Sequence, residues 1–338
     1  MIGTCSARAA IAGNPSDGYG GAVVAIPLTA VSAVVEVERA DRFEIQHAPS
    51  ADDTFATFDE LVEQVDTVGY GDARQLVLAT LRSLHRHLGA DIPPVRISTS
   101  TTIPRSVGLA GSSAIVIATM RALITTFPSA EWATTLRHDH PLQAAVALDA
   151  ETRELGIAAG LQDRVVQCFG EAMLMDFSQT TSLAPGLTAG AYRPLPRVPG
   201  VVFVATRPAT AEPSGVAHGS LRDDFEAGRG DVRRTMIEIA DHAHAAARAI
   251  ERQDVAALGA AMDATLDARQ SMMVLDPRHL AMADAVRSRG GHANWSGSGG
   301  SITVAAPNAA VADDARNALV DELGCTVIEV SGSDSEHR

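Results

Sequence analysis

Lysine is absent from this chain: all 27 basic side chains among its 338 residues are arginine. The absence excludes the phosphate-cradling lysine of Walker-type loops, any Schiff-base lysine and the ATP-pairing lysine of protein kinases. Phosphate chemistry here must run on arginine, main-chain N–H groups, hydroxyls and metal. Cysteine is scarce. Cys5, Cys168 and Cys325 are far apart and follow no ligand or redox spacing, which predicts a reduced, cytoplasmic setting. Long apolar runs are missing too. The longest, Ala114–Ile124, is broken by Thr119 and Arg121 and falls short of the ~20 residues that a membrane span requires. The first residues lack the basic and apolar regions of a secretion signal. Positive charge is in deficit, and a net charge of −14 argues against a nucleic-acid surface, which needs a basic stripe. The histidine pairs His85/His87 and His242/His244 are two apart, on different sides of a helix, and form no metal set.

What remains is an ordinary globular composition, 46% hydrophobic and 20% charged, with length for two domains. Ser6–Gly13 and Ala22–Val37 read as strands around a glycine-rich loop, Asn14–Gly21. Residues 48–60 read as loop, Asp72–Leu88 as a helix stopped by Gly89, and Val95–Thr101 as a strand. A second glycine-rich stretch, Val107–Gly111, leads into a helix from Ser112 to about Thr125 that is apolar nearly all round and so buried. Helices follow at Pro141–Leu155 and Gly160–Cys168, then a strand at Glu171–Phe177. Thr180–Pro199, rich in Pro, Gly and Thr, reads as a linker. Beyond it come a strand (Val201–Thr206), helices from Asp231 to about Leu275 and from Pro277, and a third glycine cluster at Gly297–Gly300. A strand Ser301–Ala305, a helix Ala309–Leu323, a strand Thr326–Val330 and a frayed tail Ser331–Arg338 close the chain. The sum is α+β.

The segment Pro104-Arg-Ser-Val-Gly-Leu-Ala-Gly-Ser-Ser-Ala114 carries most of the chemistry. Gly108 and Gly111 let the backbone approach a ligand, and the helix behind them presents open N–H groups and a positive dipole end. Ser112 and Ser113 can cap that helix, bind a phosphate oxygen or ligate a cation; a plain glycine turn with a serine cap would use the same residues. Phosphoryl transfer to a hydroxyl also wants one carboxylate to orient or deprotonate the alcohol and another to hold metal. Glu151 on one helix and Asp163 at the start of the next can reach one cleft through the turn containing Gly156 and Gly160. A dipole-complementing Asp163 and a solvated Glu151 are the alternative.

Gly108-Leu-Ala-Gly-Ser-Ser-Ala114 resembles the signature loop of the GHMP kinases (galactokinase, homoserine kinase, mevalonate kinase, phosphomevalonate kinase). Gly160-Leu-Gln-Asp163 resembles the segment that supplies their catalytic aspartate, and Trp295-Ser-Gly-Ser-Gly-Gly300 their third motif. Within the family, Gly13-Asn-Pro-Ser-Asp-Gly-Tyr19 departs from the Gly-Glu-His of galactokinase-like members and resembles the glucuronokinases. So do Gly160–Gln167 and Pro213–Arg222.

The resemblance implies an α+β fold of two domains: an ATP-binding domain like ribosomal protein S5 domain 2 at 1–185, and a ferredoxin-like domain at 186–338. It implies a kinase that uses ATP and Mg²⁺ on a small sugar or sugar acid, with no nucleic-acid or membrane partner. ATP is expected between Val107–Ser113 and Gly297–Gly300, touched by Pro104, Gly108, Leu109, Ala110, Gly111, Ser112, Ser113, Ala114, Gly297 and Gly299. Asp163 becomes the base or orienting group, with Arg8 beside it and Arg164 stabilising its ionised form. Ser113 and Glu151 hold Mg²⁺, with Ser112 and Glu154 as further candidates. Asn14, Ser16, Asp17, Tyr19, Asp163, Arg222 and Gly299 face the acceptor, and Ser214 and His218 can join them. D-Glucuronate, phosphorylated on its anomeric hydroxyl, is the expected acceptor, and its carboxylate needs an arginine, Arg222 or Arg105. Another sugar, a mevalonate-type substrate, or a catalytically silent sugar-binding regulator are the competing expectations.

Overall fold

The computed structural model describes residues 1–46, 53–68, 75–207 and 214–330. Strands β1 (Ile2–Ala12) and β2 (Ala22–Arg39) form a long antiparallel pair, Ile2 opposite Glu36 and Ala12 opposite Val24, joined through a 3₁₀ turn at Ser16–Tyr19. Strands β3 (Phe43–Gln46) and β4 (Asp53–Phe55) lie at one edge of this sheet, followed by helices α1 (Phe58–Val68) and α2 (Gln75–Leu88). Strand β5 (Val95–Thr101) pairs with the second half of β2. Next come α3 (Gly111–Thr126), α4 (Glu131–Leu136), α5 (His140–Thr152) and α6 (Leu161–Phe169), and then β6 (Met173–Ala184) and β7 (Leu187–Pro194). The first half of β2 pairs with β6, so β2 holds both wings of a seven-stranded sheet.

The second sheet is built from β8 (Val201–Thr206), β9 (His292–Trp295), β10 (Ser301–Ala306) and β11 (Thr326–Glu329), antiparallel in the order β11-β8-β10-β9. Between β8 and β9 lie α7 (Ser214–Ala227), α8 (Val232–Glu251), α9 (Val255–Met272) and α10 (Pro277–Arg287). Helix α11 (Ala309–Asn317) precedes β11 and ends in a π turn, Ala318–Glu322.

The stretch read as a linker, Thr180–Pro199, is mostly a β-hairpin of the first sheet, with Thr181 opposite Ala189. Its polar composition reflects exposure, since Ser178–Ser182 face solvent in β6, and not a lack of pairing. A division at 185/186 would cut that hairpin at its tip, whereas the second sheet begins at Val201. The stretch read as loop at 48–60 contains β4 and the start of α1, and its residues 48–52 lie outside the described residues, as does the tail 331–338.

The apolar side chains explain the layering. Strand β1 carries mostly small residues, and Ala7, Ala9, Ile11 and Ala12 are all buried, because helices cover both faces of the sheet. Helix α3, apolar round its circumference, packs against β1, β2 and α5. On the other face Ala243, Ala246, Leu258 and Met262 of α8 and α9 join the same core. A second core, with Phe203, Leu266, Met282, Val304 and Leu319, lies under the smaller sheet. Helices α8 and α9 thus bind both halves of the chain into one body and fix the loops between the sheets. No helix among the described residues is long and apolar enough to cross a membrane.

Candidate active site

Between the sheets opens a cleft of about 1060 Å³. One wall is the loop into α3. Positive φ at Ser106, Gly108 and Ala110 turns the chain sharply there, and the first helical hydrogen bond runs from Ala114 N–H to the Ala110 carbonyl. The amides of Gly111, Ser112 and Ser113 therefore have no partner within the helix, as at any helix start. Gln167 braces the turn from behind, its amide donating to the Ala110 carbonyl at 2.9 Å and the Ser6 carbonyl at 3.0 Å.

The third glycine loop does not face this turn across a gap, as expected from sequence. It packs directly on it. A Cβ at Gly297 would meet the Gly108 carbonyl oxygen at 2.2 Å, and Ser301 Oγ donates to the Val107 carbonyl at 2.6 Å. Arg8 locks the two together, its Nη1 donating to the carbonyls of Gly108 (2.8 Å) and Ser296 (2.6 Å). The open space thus lies in front of the joined loops, where Gly297 and Ser298 line the cleft.

Arg8 also makes the central ion pair. Its Nε donates to Asp163 Oδ1 at 2.5 Å, across 155 positions of sequence. Burial pushes the Asp163 carboxyl up, but the Arg8 and Arg164 guanidinium groups outweigh it and hold it below the usual carboxylate range. Asp163 therefore stands in the cleft as a carboxylate.

Glu151, with 0% of its side chain exposed, is paired with Arg164: Nε donates at 2.8 Å and Nη2 makes a second, shorter bond to the same oxygen. Its other oxygen accepts from Ser112 Oγ at 2.6 Å. Arg164, expected beside Asp163, is 3.4 Å from it and spends its main contacts on Glu151. Ser113 is turned away. One residue along a helix rotates the side chain by about 100°, and Ser113 is fully buried, donating to Gln167 Oε1 at 2.7 Å. Ser112 replaces it at the cleft. Glu154 is paired with Arg82 and Arg86 on α2 and takes no part in the cleft.

For a divalent cation the cleft offers Ser112 Oγ and the Glu151 oxygen beside it. These are the hard oxygen donors that Mg²⁺ takes, and Mg²⁺ is usually carried by one or two carboxylates together with substrate phosphates. Two adjacent oxygen donors fit a cation shared with phosphates; among the described residues there is no group of three His, Cys, Asp or Glu suited to hold a metal.

On the acceptor side the expected residues divide. Asn14 lines the cleft, but its amide is spent: Nδ2 donates to the Trp295 carbonyl (2.9 Å) and Oδ1 accepts from Asn294 Nδ2 (2.9 Å). Ser16 is buried and donates to the Ala22 carbonyl at 2.8 Å. Ser16, Ser113, Ala114 and Gly299 do not line the cleft; Pro104, Leu109, Ala110, Gly111, Asp17, Tyr19 and Arg222 do. Arg222, on α7, lies 5.2 Å over the Tyr19 ring and donates to the Gly18 carbonyl at 2.9 Å. Helix α7 also covers Ser214 and His218, whose side chains lie outside the described residues.

Two residues were not legible from sequence. Gln162 donates to Asp17 Oδ1 at 3.0 Å. Arg269 of α9 is 1% exposed, stacked over Trp295 at 4.8 Å, with Nη1 at 3.5 Å from the Asn14 carbonyl and 3.4 Å from that of Gly297. Burial pushes its pKa down to about 10, against the pull of Asp17. Nothing in a helical pattern separates such an arginine from a solvated one.

An amide-lined glycine turn, an arginine-clamped carboxylate and a serine–glutamate pair thus share one cleft. Residues 75–171 match the family described as GHMP kinases N terminal domain. The chain belongs to the GHMP kinases, and it is a phosphotransferase with an alcohol group as acceptor. It is 30% identical over 312 residues to "Probable glucuronokinase 2" of Arabidopsis thaliana, covering 89% of this chain and 83% of that protein. It is 29% identical over 315 residues to "Glucuronokinase 1" of the same plant, with the same coverage of 89% and 83%. Among solved structures, phosphomevalonate kinase of Streptococcus pneumoniae, in complex with phosphomevalonate and AMPPNP, superposes with a TM-score of 0.76. Its identity is 12%, with 97% of this chain and 98% of that one covered, a likeness of fold.

Proposed function

We propose that this chain transfers the γ-phosphate of Mg-ATP to a sugar acid, with the anomeric hydroxyl of D-glucuronate as the acceptor. The observation that carries the reading is the Arg8–Asp163 pair, a buried cation and a carboxylate at 2.5 Å, set beside the open amides of α3. The glucuronokinase names of the two plant relatives support the choice of acceptor.

Asp163 accepts a hydrogen bond from the acceptor hydroxyl and aims it at the γ-phosphorus. Its ion pair with Arg8 fixes the rotamer that does so. Arg8 and the amides of Gly111 and Ser112 offset charge that develops on the transferred phosphoryl group. Ser112 and Glu151 would hold Mg²⁺, which supplies charge neutralisation on the nucleotide phosphates. Arg222 pairs the uronate carboxylate, because it lines the cleft over Tyr19 and is more than half exposed, its contacts being the Gly18 carbonyl and a surface pair with Glu226 at 3.7 Å. Arg105 lines the cleft on the glycine-loop wall with Thr99–Thr101, away from Asp17 and Tyr19 in sequence, and is the second choice for that carboxylate.

The test is ADP formation against a panel of sugars. Uronates should be consumed and neutral hexoses should not. Arg222→Gln is expected to raise KM for the uronate at least ~10-fold, the loss of one charge-assisted hydrogen bond of about 1.5–3 kcal/mol, with KM for ATP unmoved. Equal use of neutral sugars, or an unchanged KM in the variant, would remove the sugar-acid assignment. A further expectation concerns the joined loops. Gly297→Ala drives a methyl group into the Gly108 carbonyl, so kcat/KM should fall about 100-fold, as when a reacting group is displaced by an ångström. A thermal melt alongside the kinetics separates this from unfolding.

A further inference from the structure

Four carboxylates line the cleft: Asp223 of α7, which is exposed, and three that are not, Asp17, Glu151 and Asp163. Glu151 has one oxygen on Arg164 and the other on the Ser112 hydroxyl. Asp163 has one oxygen on Arg8 and the other 3.4 Å from Arg164. Asp17 alone of the three makes no ion pair among the described residues. The Gln162 side chain donates to its Oδ1 at 3.0 Å. Its Oδ2 occupies the space that a side chain at position 160 would take: a Cβ there would lie 2.3 Å from it. The sequence therefore makes room for this carboxyl beside the start of α6, the helix that carries Asp163.

We propose that Asp17 is a second catalytic carboxylate, the one that takes the proton from the acceptor hydroxyl, while Asp163, clamped by Arg8, orients that hydroxyl. The proposal rests on the kinase reading above. As the sugar oxygen bonds to the γ-phosphorus, the bond from that phosphorus to the bridging oxygen breaks. Its electron pair leaves with ADP, and the hydroxyl proton passes to the Asp17 carboxylate, which becomes a neutral carboxyl and later returns the proton to water.

The electrostatics agree with the geometry. A proton acceptor works best with a pKa near the operating pH, and Asp163 is held well below that. Burial and then the charge of Asp163 push Asp17 up to about 7, against the pull of Arg8 and of main-chain hydrogen bonds. The other charged or titratable groups that act on it are Arg164 on α6, Arg269 on α9 and Tyr19 in its own turn. Raising the pH through 7 ionises Asp17, so turnover should rise across that interval. Interacting carboxyls titrate as a pair, so removal of the Asp163 charge should move the midpoint down.

Carboxyl-¹³C NMR titration of the full, ligand-free chain tests this without a substrate. The expected result is one aspartate midpoint near 7, lost in Asp17→Asn and lowered in Asp163→Asn. In the kinase assay, Asp17→Asn should lose the acid limb of the kcat–pH profile and at least ~100-fold in kcat. Asp163→Asn should be slow yet keep a limb, at lower pH. The proposal is overturned if no aspartate titrates above about 5, near the ordinary range. It is equally overturned if Asp17→Asn keeps the limb and loses only acceptor KM. A failure of the sugar-kinase reading looks different: wild-type protein then forms no ADP with any sugar.

Discussion

Asp163→Asn is expected to lower kcat at least ~100-fold, the scale for loss of a positioned catalytic carboxylate, with little change in KM for ATP. The substitution keeps the volume and one hydrogen-bond acceptor, so the side chain still fits its place on α6. What it removes is the charge that holds Arg8. That arginine is nearly buried and bridges Gly108 and Ser296, so its own position depends little on Asp163. The loss should therefore fall on the reacting hydroxyl and not on the nucleotide loop, which predicts a kcat effect with a modest KM effect. Steady-state kinetics with both substrates varied checks it. Turnover at the wild-type level would show that Asp163 is a structural acid at the start of a helix, the alternative left open by the sequence.

The second large effect is on stability. Arg164→Met should destabilise the protein by about 3–5 kcal/mol, the cost of leaving one member of a buried ion pair alone. Glu151 has 0% of its side chain exposed and Arg164 is 3% exposed, so water cannot take over the lost contacts. Arg164 also donates to the Gly160 carbonyl at 2.8 Å, tying the start of α6 to its own first turn. Urea unfolding should show a lower midpoint with an unchanged slope. Adding Glu151→Gln should recover part of the loss, since the lone buried charge is then gone, and the double-mutant cycle measures the coupling. A shift below 1 kcal/mol would mean that the pair is opened to solvent and contributes as a surface bridge does.

The partnership of Arg8 and Asp163 was legible, although 155 positions separate them, only through the resemblance to the GHMP kinases, which implies a cation beside the aspartate. It did not decide between Ser112 and Ser113. Adjacent residues on a first helical turn differ by a rotation that periodicity cannot fix when the helix is apolar all round, and α3 is such a helix. Asn14 was read as an acceptor contact because an amide in a glycine-rich loop suits a sugar; its real partners, Trp295 and Asn294, lie some 280 positions away and belong to the second sheet. The linker reading failed at Ala184-Pro-Gly-Leu187, where the same Pro-Gly that can mark a linker turns a hairpin. Arg269 was invisible for a related reason: its burial depends on Trp295 and on two carbonyls brought in from distant loops.

The central claim is phosphoryl transfer onto a uronate hydroxyl in this cleft. The measurement closest to it is ³¹P NMR of wild-type protein incubated with ATP, Mg²⁺ and D-glucuronate. A growing phosphomonoester resonance, coupled to the anomeric proton and matched by ADP, is the result predicted. ATP left intact in that mixture, while a neutral sugar or a mevalonate-type alcohol is phosphorylated under the same conditions, would contradict it.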